Sequence, residues 1–252
     1  MLITNKTPSK QEESEIQDLL KNKNLDLALE KINELYIRYP DSIVPKYYDA
    51  YIKNIQMKHE EAIELYLDVI SSSPNDSWVF HYNVGLIFYN LRRFIESIKY
   101  LTKAYSLNPN NPSVLLSLGG AYYENFQFNQ AENTFNKLIR LDPNSIIAYC
   151  NLANIELQRS NIIEALKYSS KALELNDTSS YANSTHAVVL SRSKDIKTQK
   201  ESVTYFEKAI SYDPNDANSY ANLAGVNFLL NELEECKINA DKALKINPKN
   251  NI

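Results

Sequence analysis

A proline that returns every 34 or 35 residues is the strongest constraint on how this 252-residue chain folds. The prolines are Pro40, Pro74, Pro109, Pro143, Pro214 and Pro248, separated by 34, 35, 34, 71 and 34 residues. The interval of 71 residues divides into 34 and 37 if Asp177 stands where a proline would be. A fixed period of this length is the sequence signature of a repeat architecture, in which one supersecondary unit recurs along the chain.

Apolar residues within each period have the spacing of two α-helices separated by a short polar turn. The clearest period runs from Pro112 to Ser145. One face of its first helix carries Leu115, Leu118, Gly119 and Tyr122, and one face of its second helix carries Ala131, Phe135 and Leu138. Asn111 is suited to cap the first helix, with Pro112 at the first helical position, and Pro143 ends the second helix. Each period therefore predicts a helix–turn–helix pair.

The composition supports an all-helical chain. Glycine occurs only four times in 252 residues, far below the usual share of about 7%. Because glycine supplies many left-handed turns, we expect few such turns, which disfavours hairpin-rich β folds and glycine-rich phosphate loops. Hydrophobic residues make up 44% and charged residues 23% of the chain, values typical of folded domains. The predicted fold class is all-α.

The pattern Leu115-x2-Leu118-Gly119-x2-Tyr122, then Ala131-x3-Phe135, then Pro143 resembles the tetratricopeptide repeat (TPR) at each signature position but the first, where leucine replaces tryptophan. The resemblance implies a right-handed α-solenoid superhelix, with the first helix of each pair on the concave side. We expect an N-terminal tail, 1–8, followed by a single array, 9–250. The seven predicted units are 9–42, 43–76, 78–111, 112–145, 146–179, 180–216 and 217–250. Three extra residues in the sixth unit are placed in its internal turn, near residues 194–197.

No constellation of catalytic or metal-binding residues stands out in the sequence. His59, His81 and His186 fall in different units, and no histidine accompanies Cys150 or Cys236 in register. A Cys–His nucleophile pair and a cysteine-based zinc site are therefore unsupported. Cys150 falls on the predicted concave side, which leaves room for solvent exposure. We predict no cofactor, no bound metal, no catalytic residue and no enzymatic activity.

The charge and hydropathy of the sequence indicate which classes of partner and which cellular location to expect. The chain has 27 Lys+Arg and 31 Asp+Glu, a net charge of −4, which gives no broad attraction to nucleic acid or to an anionic membrane. Its first residues lack the apolar core of a secretory signal, and no stretch approaches the ~18 apolar residues of a membrane span. We therefore predict a cytoplasmic protein without nucleic-acid binding or membrane insertion.

The resemblance places the binding surface in the concave groove. In the TPR family, positions 2, 5, 9, 12 and 13 of the first helix face that groove, and position 6 lies beside it. In units two to four these positions are rich in tyrosine, which offers a large, rigid contact area with a hydroxyl group. The predicted peptide-binding residues are Tyr47, Tyr51, Tyr82, Asn83, Leu86, Tyr89, Leu116, Tyr123, Asn151 and Asn154. Tyr82 and Tyr123 are expected to be largely exposed; in the alternative interpretation, the tyrosines pack against neighbouring helices.

Units five to seven give the predicted groove a different lining. The groove positions there include Cys150, Asn154, Leu157, Gln158, Tyr181, Ser184, Val188, Arg192, Asn218 and Ala221. Asn83, Asn151 and Asn222 share the sixth position, which resembles the asparagine ladder in the TPR arms of protein O-glycosyltransferases. Other residue types interrupt this ladder in units two, four and six.

These features predict a non-catalytic protein–protein interaction scaffold that binds a peptide or a helix of a partner along the concave groove. One alternative is the substrate-presenting TPR region of a larger sulfotransferase or glycosyltransferase. A helical-repeat RNA-binding protein is a second alternative, disfavoured by the presence of only six arginines and by the negative net charge. The carboxylate clamp of co-chaperone TPR domains is not predicted, because the fifth positions carry no basic residue.

Overall fold

A computed structural model describes residues 7–73 and 75–248, and this part of the chain contains fourteen α-helices and no β-strand. The helices are α1 Lys10–Lys21, α2 Leu25–Arg38, α3 Ile43–Ile55, α4 His59–Ser72, α5 Trp78–Asn90, α6 Phe94–Leu107, α7 Pro112–Glu124, α8 Phe128–Leu141, α9 Ile146–Gln158, α10 Ile162–Leu175, α11 Ser180–Ser191, α12 Ile196–Tyr212, α13 Ala217–Leu229 and α14 Leu233–Ile246. The all-α prediction is confirmed. Most of the predicted N-terminal tail, Pro74 and residues 249–252 lie outside the described residues.

The chain forms two compact units, the first reaching to Ala121 and the second beginning at Tyr122. From α1 to α6 in the first unit and from α8 to α14 in the second, each helix is packed on the next one along the chain. This is the arrangement expected of tandem helix pairs, in which each pair contacts only its neighbours. The finer division into seven repeats of one array stays a prediction.

Helix ends follow the capping residues that the sequence offers. Asn111 Oδ1 accepts the N–H of Val114 at 3.1 Å, so Asn111 caps α7 and Pro112 is the first helical residue, as predicted. At the other end of this pair, α8 stops two residues before Pro143. Ser9 and Glu12 form a capping box at the start of α1. Local side-chain chemistry therefore fixes several of the helix boundaries.

Within the described residues, six turns inside helix pairs contain a left-handed residue that is not glycine. Lys23, Met57, Arg92, Phe126, Ser160 and Asn231 have φ between 58° and 62°. In each turn the next N–H donates to the carbonyl five residues earlier, as Lys58 does to Lys53 at 2.9 Å, which is a Schellman-type helix end. The expectation that a glycine-poor chain has few left-handed turns is therefore wrong. These hydrogen bonds and the helix packing offset a steric cost of roughly 1–2 kcal/mol per left-handed residue.

The core of the first unit consists of branched and aromatic side chains between successive helices. The cluster around α1, α2 and α3 comprises Ile16, Ala28, Ile32, Leu35, Tyr48 and Ile52. The next cluster comprises Ala50, Ala62, Ile63, Tyr66, Val84, Ile87 and Phe88. Gly85 allows α5 to approach α6, because a Cβ at this position would stand 2.7 Å from Leu101 Cγ. Gly85 therefore serves helix packing at a position where the sequence pattern has a small residue.

The second unit places small residues where its helices approach one another. Ala153, Ala165 and Ala187 are fully buried, and so are the rings of Phe135 and Phe206. The rings fill space that the short side chains leave, and this matches the alternation of small and large residues in the sequence pattern. Burying the apolar surface of one ring contributes on the order of 2–3 kcal/mol to the stability of this unit.

The three extra residues of the sixth period lengthen a helix, whereas we predicted that they enlarge a turn. α12 has 17 residues, and α10 and α14 have 14 each. Asp195 caps α12 by accepting the N–H of Thr198 at 2.9 Å. Because aspartate is a strong N-cap, the helix begins about one turn earlier than its counterparts and the preceding turn stays short.

Candidate functional site

A cleft of about 830 Å³ opens in the second unit. α9, α11 and α13 supply most of its walls. Its lining residues are Tyr123, Asn154, Leu157, Gln158, Ser160, Ile162, Tyr181, Ser184, Thr185, Val188, Arg192, Asp216, Asn218, Ala221 and Asn222. We refer to this feature as the second-unit cleft. It combines side-chain amides and hydroxyls with a few aliphatic groups, a mixture suited to recognition of a peptide.

Buried hydroxyl groups form the inner wall of the second-unit cleft. Ser184 and Thr185 are buried on α11. Ser219 donates to the carboxylate of Asp216, and its own oxygen lies 2.9 Å from Ser184 Oγ, so that it can accept the hydroxyl proton of Ser184. Asp216 in addition accepts the N–H of Asn218 at 3.0 Å, as the N-cap of α13. The start of α13 is therefore linked to the middle of α11, and the Asp216 carboxylate is engaged within the protein.

Several polar side chains of the second-unit cleft have no partner within the described residues. The amides of Asn218 and Asn222 and the guanidinium of Arg192 make no side-chain hydrogen bond or ion pair there. By contrast, Gln158 donates to Tyr123 Oη at 3.4 Å, and Asn154 donates to a tyrosine hydroxyl at 3.5 Å. The cleft therefore offers unoccupied donors and acceptors on α11 and α13.

The three asparagines at the sixth repeat position have different surroundings. Asn83 donates to the hydroxyl of Tyr66 at 3.2 Å and to that of Tyr47 at 3.5 Å. Asn151 donates to the carbonyl of Ile147 at 2.9 Å. Asn222 lines the second-unit cleft without a side-chain partner among the described residues. The resemblance to a uniform asparagine ladder therefore does not extend to the hydrogen bonds of these residues.

The face of α13 beside the second-unit cleft is open at a glycine. Gly225 lies one helical turn after Ala221, and a Cβ at Gly225 would have no heavy atom within 4 Å. Glycine inside a helix is less stable than alanine by roughly 0.5–1 kcal/mol. Packing against neighbouring helices does not require glycine at this position.

Tyr47, one of the predicted groove residues, packs inside the first unit. Its ring makes edge-on contacts with Tyr48 and Tyr66, with ring centroids 5.2 and 5.8 Å away. Burial raises the pKa of Tyr47 above its usual value. The alternative interpretation, packing against neighbouring helices, describes this residue. Tyr51 is 39% exposed and shares with Tyr47 a smaller cleft of about 290 Å³, which Leu20 also lines.

Tyr82 and Tyr123 are half-buried, so the expectation that they are largely exposed is wrong. The ring of Tyr82 lies 5.9 Å from that of Trp78. The ring of Tyr123 lies 5.7 Å from that of Phe128, and burial raises the pKa of its hydroxyl. Each tyrosine therefore has one side packed within its unit. Tyr123 also lines the second-unit cleft.

The other predicted groove residues of the first unit are half-buried: Asn83, Leu86, Tyr89 and Leu116. Tyr89 packs edge-on against Phe94 at 5.7 Å. Of the ten predicted residues, Tyr123 and Asn154 line the second-unit cleft. The sequence pattern had also placed Val188, Arg192, Asn218 and Ala221 at groove positions, but the abundance of tyrosine directed the prediction to units two to four.

Cys150 and His186 are buried within the second unit and do not form a reactive pair. Cys150 is fully buried, which corrects the expectation of exposure, and burial raises the pKa of its thiol to about 11. His186 Nδ1 lies 2.9 Å from Ser169 Oγ, and burial lowers the pKa of its imidazole to about 4. At neutral pH the thiol and the imidazole are both uncharged, as suits residues that pack in a core.

Among the described residues, no three side chains of His, Cys, Asp or Glu come together in an arrangement that could hold a metal ion. In the same part of the chain, every helix is too short or too polar to cross a lipid bilayer.

Comparison with known proteins places these helix pairs in a family. Sequence models of the tetratricopeptide repeat match residues 91–154, 194–216 and 217–250. Protein O-mannosyl-transferase TMTC3 of Homo sapiens is 25% identical over 77% of this chain, and TPR repeat-containing protein MJ1428 of Methanocaldococcus jannaschii is 28% identical over 89%. The chain spans 22% and 42% of the lengths of these two relatives.

A solved structure shows the same fold along almost the whole chain. A tetratricopeptide repeat protein from Parabacteroides merdae superposes with a TM-score of 0.80, covering 95% of each chain at 17% identity. Together with the fourteen tandem helices and the sequence matches, this superposition identifies the chain as a tetratricopeptide repeat protein. Tetratricopeptide repeats imply a scaffold for protein–protein interaction.

Proposed function

We propose that this protein binds an extended peptide segment of a partner protein in the second-unit cleft and catalyses no reaction. The observation that carries the proposal is the pair of side-chain amides, Asn218 and Asn222, that face the cleft without partners among the described residues. A primary amide both donates and accepts hydrogen bonds, so it can pair with the N–H and C=O groups of a peptide backbone. Each such bond contributes roughly 0.5–1.5 kcal/mol.

The chemistry of the second-unit cleft favours an extended ligand over a helical one. A helix satisfies its own backbone groups, so it would leave the amides of α13 without backbone partners. An extended segment presents N–H and C=O groups along its length and points alternate side chains to opposite sides. The aliphatic side chains of Leu157, Val188 and Ala221 line the same cleft and can receive apolar side chains of the ligand.

The proposal can be tested with a phage-displayed library of short random peptides selected on the purified protein. Ala221→Trp fills the cleft from α13, because Ala221 lines it and is only half-buried. Thr204→Trp is the matched control, since Thr204 is exposed on α12 and does not line the cleft.

We expect the selected peptides to bind Ala221→Trp at least about tenfold more weakly than the unmodified protein and to bind Thr204→Trp normally. Peptides that bind both variants equally well would place the binding surface elsewhere on the protein. A selection that enriches no peptide sequence would contradict the proposal as well.

The tyrosine-rich surface of the first unit is a second proposed contact for a partner. Tyr51 is its most accessible tyrosine, and three further predicted groove residues, Tyr82, Leu86 and Leu116, are half-buried. If a selected peptide uses this surface, Tyr51→Ala should weaken its binding by roughly 1–3 kcal/mol, the usual scale for an aromatic contact. Unchanged binding of every selected peptide to Tyr51→Ala would remove this surface from the proposal.

A second candidate function is the substrate-presenting region of a larger glycosyltransferase. The observation that favours it is the 25% identity with a protein O-mannosyl-transferase, of which this chain spans 22%. The test is the genomic reading frame on either side of the sequence. An adjoining transferase domain in the same frame would support this function, and stop codons at both ends would exclude it.

We also propose a cytoplasmic location and one continuous repeat array over residues 9–250. Fractionation of the native host tests the location, because a cytoplasmic protein partitions with soluble cell contents. Limited proteolysis tests the array. A continuous array resists cleavage along its whole length, whereas two independent units would be cut first within α7, near residue 121.

A further inference from the structure

Arg192 lines the second-unit cleft, whereas three other arginines of the chain are held by carboxylates. Arg38 pairs with Glu12 at 2.6 Å, Arg93 pairs with Glu96 at 2.8 Å and Arg159 pairs with Glu156 at 2.6 Å. Arg192 caps the end of α11 and lines the second-unit cleft. Its guanidinium has no carboxylate partner among the described residues, although 31 acidic residues are distributed along the chain.

The carboxylates nearest to Arg192 in sequence or in the second-unit cleft are already engaged. Asp195 accepts hydrogen bonds from the backbone N–H and the hydroxyl of Thr198 at 2.9 and 2.8 Å. Asp216, the other charged residue of the lining, accepts from the N–H of Asn218 and from the hydroxyl of Ser219. The start of α13 stabilises the negative charge of Asp216. Arg192 is therefore the uncompensated charge of the cleft.

We propose that the peptide bound in the second-unit cleft carries a carboxylate that pairs with Arg192. This inference rests on the proposed function and specifies its ligand. A planar guanidinium matches a carboxylate through two parallel hydrogen bonds. Asn218 and Asn222 then hold the backbone next to the anchored residue, since they line the same cleft. A phosphorylated side chain fits this site poorly, because its charge of about −1.5 to −2 is usually met by a cluster of arginines.

The partner's carboxylate has two possible sources, an acidic side chain or the C-terminus of the partner chain. Two peptide libraries distinguish them, one with free C-termini and one with each random peptide fused at both ends. Selection on the unmodified protein should enrich Asp or Glu at one position of the fused library if the side chain is the source. If the C-terminus is the source, selection should enrich peptides from the free-end library only, and these peptides should show no preference for Asp or Glu at any position.

Charge reversal at Arg192 tests the pairing itself. On Arg192→Glu, the selected peptides should carry Lys or Arg where the unmodified protein selects an acid, or the preference for free C-termini should disappear. Arg140→Glu is the matched control, because Arg140 is exposed on α8 and lies outside the cleft lining while the change in net charge is the same.

The affinity of a synthetic selected peptide gives the second readout. Arg192→Gln should weaken its binding about fivefold, and Arg192→Lys should restore part of the loss. Raising the salt concentration should weaken binding to the unmodified protein more than binding to Arg192→Gln.

The outcomes separate this inference from the proposed function. The selected peptides could bind Ala221→Trp weakly and yet show no preference for an acid or a free C-terminus, or keep the same preference on Arg192→Glu. Either result would overturn the pairing with Arg192 but would leave the proposed peptide binding in the second-unit cleft intact. Peptides that ignore Ala221→Trp would overturn both. An equal shift on Arg140→Glu would attribute the preference to overall charge and would also overturn the pairing.

Discussion

Asn83 in the first unit and Asn222 in the second share a repeat position, yet only Asn83 is held by its neighbours. The hydroxyl of Tyr66 accepts from the Asn83 amide at 3.2 Å. In the unit before Asn83, Tyr66 holds a position of the second helix that Phe206 holds in the unit before Asn222. Phe206 has no hydroxyl group. The hydroxyl of Tyr66, together with that of Tyr47 at 3.5 Å, holds Asn83, whereas the side chain of Asn222 has no such partner among the described residues.

This comparison shows that an abundance of tyrosine at groove positions does not by itself indicate free polar groups. A tyrosine that packs between helices buries its ring and must also find a partner for its hydroxyl. In the first unit, asparagine supplies that partner, so the polar groups there satisfy one another. In the second unit, phenylalanine fills the corresponding core position and leaves the polar groups on α13 free to contact a ligand.

The largest expected effect is on the stability of the first unit. Tyr66 is 1% exposed, so Tyr66→Ala should lower the free energy of unfolding by about 3–5 kcal/mol through the cavity that it leaves. Tyr51→Ala is the matched control, and its effect should stay below about 1 kcal/mol because Tyr51 is 39% exposed. Urea unfolding followed by circular dichroism measures both. Equal effects would mean that the two tyrosines are packed alike.

Acid should destabilise the second unit through His186. Its folded-state pKa of about 4 lies below the ordinary value of 6.5, so the unfolded chain takes up the proton first as the pH falls. The stability due to neutral burial is complete above pH 6.5 and is lost progressively between pH 6.5 and 4, by on the order of 3 kcal/mol. Urea midpoints measured across this range should fall less in His186→Gln. Parallel pH profiles for the two proteins would exclude His186 as the cause.

An exchange of one hydroxyl tests the comparison directly. Tyr66→Phe should destabilise the first unit by about 1 kcal/mol, because Asn83 loses the hydrogen bond at 3.2 Å. Phe206→Tyr should give Asn222 a partner and weaken peptide binding in the second-unit cleft by a similar amount. Amide nuclear magnetic resonance shifts of both asparagines report the change. If Phe206→Tyr left the Asn222 signal and peptide affinity unaltered, the proposed equivalence of the two positions would be wrong.

The smallest expected effect is a gain in stability at the turns. Met57 has φ of 62° and is 74% exposed, so Met57→Gly should stabilise the first unit by about 0.5–1 kcal/mol. Asn231→Gly in the second unit should give a smaller gain, because asparagine tolerates the left-handed conformation better than methionine. Thermal unfolding of the two variants compares them. A loss of stability in Met57→Gly would show that the methionine side chain contributes more than the turn strain removes.

The fold was predictable because its cause is repeated along the sequence. The period, the helical spacing of apolar residues and residues such as Asn111 and Pro143 all point to the same helix pairs. The site was less predictable because it depends on which polar groups stay unpaired. Sequence spacing places Asn83 and Asn222 at the same repeat position, but only the packed structure shows that the hydroxyl of Tyr66 accepts a hydrogen bond from Asn83.

Two local errors have similar physical reasons. The left-handed turns at residues such as Met57 form without glycine, because the fold supplies enough hydrogen bonding to hold an unfavourable conformation. The three extra residues near Asp195 join α12, because the cap that begins a helix can move when a strong capping residue lies upstream. In both cases, the tertiary context or a local side-chain bond outweighs average residue preferences.

Gly225 has an evolutionary consequence. Most positions near a binding surface are also part of a core, so mutations that alter specificity usually lower stability as well. A Cβ at Gly225 would have no neighbouring heavy atom within 4 Å, and most replacements would make the helix more stable. Descendants of this protein could therefore change what the adjoining cleft accepts through single mutations at one codon, without first acquiring compensating changes elsewhere.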